Sequence, residues 1–127
     1  MKAWVVAALV SSAPSTAYSV AAGRDPLEAT KAAGTLVLPD DAPPLLLVAA
    51  AAPVHLALSF FWAAVLERTL PARNRTAWGA AGGLAIAALD LGVVGRRFPA
   101  VRRLPLAPQL ADHALFGAVV GALSRRT

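Results

Sequence analysis

No cysteine occurs among the 127 residues, which excludes a disulfide framework, thiol chemistry and a thiolate-held metal. Charge is scarce too: Asp, Glu, Lys and Arg make up 15% of the chain, against 57% apolar residues. With a mean hydropathy of +0.61, the chain lacks the polar surface that a soluble domain of this length needs to cover its core. Catalytic signatures are missing as well. No HExxH, GxSxG, Walker A or strand-borne GxGxxG pattern occurs, so no enzyme activity and no cofactor is called for. Two histidines and scattered carboxylates form no metal-binding constellation.

What is present is a series of long apolar blocks joined by short basic connectors, the pattern of an integral membrane protein. The formal charge of +5 falls in those connectors, without the aromatic and basic interleaving of a nucleic-acid surface. The lipid bilayer is therefore the expected partner, and nucleic acid is not.

Four blocks read as spanning helices of an all-α bundle in a single domain, over residues 3–23, 44–66, 76–94 and 106–123. The first, "AWVVAALVSSAPSTAYSVAAG", is interrupted by Ser11, Ser12, Pro14, Ser15 and Thr16. It reads as a retained helix kinked at proline, its hydroxyls bonding the freed backbone. A cleaved signal peptide, with Lys2 as its basic start and "SVA" as its cleavage site, is the rival reading. The second, "PLLLVAAAAPVHLALSFFWAAVL", carries Pro53 at its middle and Phe60, Phe61 and Trp62 as an interfacial aromatic zone near its end. The fourth closes on Arg125 and Arg126.

Between the first two blocks, Asp25, Pro26 and Glu28 form a helix start, with Asp25 as N-cap and Glu28 at the third position. The helix they open, over residues 26–38, is too short to span and is expected at the membrane surface. Four crossings place both termini on one side. Lys and Arg divide evenly between the two sides, so the positive-inside rule alone does not orient the chain. The densest cluster, "RRFPAVRR", favours that loop in the cytoplasm.

Ionisable groups inside spans cost on the order of 3 kcal/mol at the bilayer centre and so mark candidate sites. Here they are His55, Asp90, Asp112 and His113. Loop counting puts Asp90, Asp112 and His113 roughly 7 to 12 Å below the same face. On the third block Gly79, Gly83, Ile86, Ala87 and Asp90 share one helical stripe, as His113, Gly117 and Gly121 do on the fourth. Asp112 lies off that stripe. The glycine pairs are small-xxx-small patterns that let two helices approach closely. Packing Gly79 and Gly83 against Gly117 and Gly121 would bring Asp90 opposite His113, although an arginine of "GRRFPAVRR" is an alternative partner. A buried Asp beside a His can relay a proton, or simply pin two helices together. His55, near the midplane and two residues after Pro53, could contact a small ligand or bond a carbonyl of a neighbouring helix.

The stretches "GRDPLEATKAAGTLVLP", "IAALDLGVVGRRFPAVRRLP" and "ADHALFGAVVGAL" resemble a group of small Ala- and Arg-rich multi-pass membrane proteins of high-GC actinobacteria. The resemblance covers most of the chain and implies a bacterial cytoplasmic membrane protein, with no activity to carry over. Three functions follow from the residues. The first is a structural or accessory protein acting through helix packing, with itself or with a membrane protein partner. The second is a small proton-coupled carrier using His55, Asp90 and His113. The third is an enzyme on lipid head groups using Asp112, His113 and the nearby arginines.

Overall fold

The computed structural model describes residues 2–124 and is all-helical, with no strand among them. Arg125 and Arg126, expected to close the last span, lie outside the described residues. Helices α1 (Ala3–Val10) and α2 (Ala13–Ala21) make up the first long apolar segment, and α3 (Glu28–Gly34) is a short helix after it. They are followed by α4 (Pro44–Thr69), α5 (Arg75–Leu89), the four-residue α6 (Pro99–Arg102) and α7 (Leu106–Leu123). Four segments are long and apolar enough to cross a membrane: Ala3–Ala21, Pro44–Thr69, Arg75–Arg97 and Leu106–Leu123. This is the architecture of a multi-pass membrane protein.

Helix α7 is the centre of the bundle, touching α1, α2, α4 and α5. Its tightest neighbour is α5, and glycine is the reason. A Cβ on Gly79 would collide with the Gly117 carbonyl, one on Gly83 with the His113 carbonyl, and one on Gly121 with the Arg75 carbonyl. The antiparallel register therefore sets Arg75 beside Gly121, Gly79 beside Gly117 and Gly83 beside His113. Lipid supplies no hydrophobic drive for helix association, so this backbone-to-backbone contact is what dispersion can act on. Ile86, Phe116 and Val120 extend the seam into a core shared with Ala7, Ala63 and Leu66.

The two ends of the bundle differ. At one end the Arg75 Nη2 group donates to Ser124 Oγ at 2.9 Å, and Asn74 takes a left-handed turn (φ 54°) ahead of α5. At the other, α3 and α6 meet, and Arg103 Nη2 lies 3.8 Å from Asp40 Oδ2.

Three local features depart from the sequence expectation. The first crossing is two helices, because α1 ends at Ser11 and Pro14, which has no N–H, sits in the first turn of α2. The third does not end at residue 94: α5 passes at Asp90 into a π-helical turn, Asp90–Val94, closed by the Gly95 N–H on the Asp90 carbonyl, and then into a 3-10 turn, Gly95–Arg97. Helix α3 is shorter than residues 26–38. Asp25 Oδ1 does accept from the Leu27 N–H at 2.9 Å, but Glu28 does not complete a capping box. It turns to Ser19 Oγ at 3.0 Å and Arg24 Nε at 2.8 Å instead.

Helix α3 also lies closer to the protein than a lipid-surface helix does: Ala32 and Gly34 are buried, and a Cβ on Gly34 would meet the Leu47 backbone of α4.

The glycine seam makes a direct prediction. Gly117→Ala places a methyl against the Gly79 backbone and should cost about 1–3 kcal/mol, read as a lower thermal unfolding midpoint in detergent. Gly92→Ala, where a Cβ meets nothing within 4 Å, should change stability by less than about 0.5 kcal/mol.

Candidate functional site

Helices α4 and α5 touch near the hairpin that joins them, where Leu66 Cδ2 packs on Gly82, and make little other contact. Between them, toward the α3 end, lies a cavity of about 420 Å³ lined by α2, α3, α4, α5 and α7 and by Ser11 and Ser12 at the break between α1 and α2. All four ionisable residues singled out from the sequence line it: His55, Asp90, Asp112 and His113.

Each of them is held by a different helix. His113 Nε2 lies 3.5 Å from Asp90 Oδ2, and the two side chains are 21% and 25% exposed. Asp90 thus faces His113, not the arginines that follow it. By the seam register, Asp90 lies seven residues, roughly 10 Å, beyond the level of His113. The gap closes because side chains on a helix lean toward its N-terminus, and in an antiparallel pair these two lean toward each other. His113 Nδ1 lies 2.8 Å from the Gln109 carbonyl. A carbonyl only accepts, so Nδ1 carries the hydrogen.

Asp112 lies off the His113 stripe and faces the first crossing. Its Oδ1 accepts from the Ser15 backbone N–H at 2.8 Å. Ser15 stands in the first turn of α2, where no side chain of α2 itself caps the helix. A carboxylate from α7 is therefore the N-cap of α2, favoured by the positive end of the helix dipole.

His55 does not use backbone opened by Pro53, through which α4 runs on as one helix. Its Nε2 donates to the Ala8 carbonyl at 2.7 Å, a group beside the break between α1 and α2. The structural role weighed for His55, bonding a carbonyl of a neighbouring helix, is present. The same side chain also lines the cavity.

The remaining lining adds hydroxyl, amide and aromatic groups to the four ionisable residues. Ser11, Ser15, Ser59 and Gln109 are buried polar residues at the cavity wall. Trp62 also turns inward, away from the interfacial zone expected for it, while Phe60 and Phe61 stay exposed. Its Nε1 is buried without a partner among the described residues. The spacing carries part of the signal, since His55, Ser59 and Trp62, like Gln109, His113 and Phe116, recur at spacings of four and three, but "FFW" near a span end equally fits the interfacial rule. Among the described residues, no group of three His, Cys, Asp or Glu side chains could hold a metal ion.

Helix α3 roofs the cavity through Ala29, Thr30 and Ala33. Arg24 holds the Glu28 carboxyl below the usual carboxylate range, aided by Ser19. Lys31, with the Leu27 N–H, does the same for Asp25. In comparisons with known proteins the chain matches no family model, no curated protein and no solved structure.

Two predictions follow from these contacts. Asp112→Leu removes the α2 cap and should cost about 0.5–2 kcal/mol, with faster amide exchange at Ser15, whereas Asp112→Asn, which keeps an acceptor, should exchange slowly. The carboxyls of Asp25 and Glu28 titrate lower in the folded chain than in the unfolded one. Their contribution is complete above roughly pH 4 to 5 and is lost as pH falls through the lowered values. Acidification should therefore speed exchange in α3 before it affects α7.

Proposed function

We propose that the protein is a small proton-coupled carrier of a bacterial cytoplasmic membrane, binding a low-molecular-weight ligand in the cavity between α4 and α5. The observation that carries this reading is the convergence of His55, Asp90, Asp112 and His113, from three helices, on one cavity of about 420 Å³. Ionisable groups at membrane depth generally mark substrate or proton pathways, and ligand sites are commonly clefts of roughly 300–1,000 Å³. The π-helical turn beginning at Asp90 adds support, since such turns concentrate at functional sites. The resemblance to actinobacterial multi-pass proteins supports the bacterial membrane, and the arginines of "RRFPAVRR" support a cytoplasmic position for the α3 and α6 end.

An accessory role through helix packing has less support. The glycine seam on which it rests is occupied within the chain, between α5 and α7. It remains the reading to which failure of the following test would return.

Purified protein reconstituted in liposomes with an entrapped pH dye should carry protons under an imposed solute gradient. Asp90→Asn and His113→Gln should each abolish the signal while helix content and thermal midpoint stay near those of the parent. Proton movement unchanged in both variants, or absent from the parent across a panel of anionic, cationic and neutral solutes, would overturn the carrier reading.

A further inference from the structure

The chemistry of the cavity wall narrows the ligand, an inference that rests on the carrier reading. No Lys or Arg lines the cavity among the described residues, whereas two carboxylates, Asp90 and Asp112, do. An anion would find no fixed positive partner there. Of the two carboxylates, Asp112 is committed: it caps α2 through the Ser15 N–H. Among the described residues, Asp90 is bonded to no backbone donor and its side chain faces His113 Nε2. Trp62 and Phe116 line the same space, and an aromatic face attracts an organic cation, most strongly when both are desolvated. Val48, Leu58 and Ile86 supply an apolar wall, suited to a cation that carries hydrocarbon.

The Asp90 and His113 pair also has a definite proton count. Because Nδ1–H of His113 is given to the Gln109 carbonyl, the Nε2 lone pair of a neutral ring would face a carboxylate oxygen at 3.5 Å. Two acceptors facing each other in a low-dielectric site repel. One proton on the line between Nε2 and Oδ2 removes that conflict and makes the pair neutral as a unit. Without the proton, the pair carries a single negative charge.

We infer that the cavity takes a small hydrophobic organic ammonium ion and that this cation and the proton shared by Asp90 and His113 occupy the site in turn. When the cation enters, the shared proton leaves to solvent, His113 remains neutral with its Nδ1–H on Gln109, and the Asp90 carboxylate balances the cation. No covalent bond other than that of the departing proton changes. The other titratable groups at the wall are His55 on α4, held by the Ala8 carbonyl, and Asp112 on α7. The break between α1 and α2 presents Ser11 and Ser12 there, α2 presents Ser15, and α3 presents Ala29, Thr30 and Ala33. Arg96 and Arg97 stand on the exposed turn beyond.

The test is calorimetric binding of benzyltrimethylammonium to the full chain in detergent, in two buffers of different ionisation enthalpy, with neopentylbenzene as the uncharged isostere. The expected result is about one proton released per cation bound and an affinity that rises about tenfold per pH unit while the pair is protonated. The isostere should bind at least tenfold more weakly. Asp90→Asn should lose proton release and most of the cation affinity, whereas Asp90→Glu, which keeps the carboxyl, should retain proton release. Cation binding without proton release overturns the exchange, and equal or tighter binding of the isostere overturns the cation assignment while leaving a ligand-binding cavity intact. Binding of neither ligand, with the parent still moving protons in liposomes, overturns the cation assignment alone. Binding of neither together with no proton movement removes the carrier reading as well.

Discussion

The close approach of α5 to α7 is the constraint on which the rest of the molecule depends. In lipid, helices gain nothing by hiding apolar side chains from water, and association must come from contact and from polar pairs. Glycines at positions 79, 83, 117 and 121 remove the side chains that would hold the backbones apart. The resulting register is fixed by backbone atoms, which do not yield as flexible side chains do. Only with that register does a histidine on α7 meet an aspartate on α5, seven residues beyond the contact at Gly83. The site is thus a geometric consequence of the packing.

Satisfaction of polar groups in a low-dielectric surrounding supplies the second layer of specification. Each of the four ionisable residues at the cavity has its partner on a different helix or within its own turn: His55 on α1, Asp112 on α2, Asp90 on α7, and His113 on both Asp90 and the Gln109 carbonyl. The break between α1 and α2 leaves backbone groups that His55 and Asp112 address from α4 and α7. These bonds resist unmaking because a lone buried donor or acceptor costs about 1–3 kcal/mol. The serines and proline that weaken the first block as a membrane span are therefore what fit it to the bundle.

Much of this was legible in the sequence because helical periodicity survives in lipid. The stripe holding Gly79, Gly83 and Asp90, and that holding His113, Gly117 and Gly121, could be read at 3.6 residues per turn, and so could the absence of Asp112 from the second. Three features were not legible. The π-helical turn at Asp90 has no local pattern that names it: Gly92 and Gly95 in "ALDLGVVG" weaken a helix without specifying which turn replaces it. The cap that Asp112 gives α2 joins residues 97 apart, a pairing that no local pattern encodes. The inward turn of Trp62 was hidden because "FFW" near a span end fits the interfacial rule, and only the line from His55 through Ser59 assigns Trp62 to the inner face.

The cavity follows from an imbalance in this packing. Leu66 fills the space over Gly82, near the hairpin that joins α4 and α5. Farther along, no pair of glycines draws α4 toward α5, and the wedge between them is walled by α7, by the first crossing and by α3 above. At the α3 end α5 passes into the π-helical turn at Asp90, and that carboxylate lies at the wall beside His113. The glycine-rich side of the bundle is closed and the α4 side is not. A chain of this length thereby holds both a rigid seam and a polar cavity, each at the position the other leaves open.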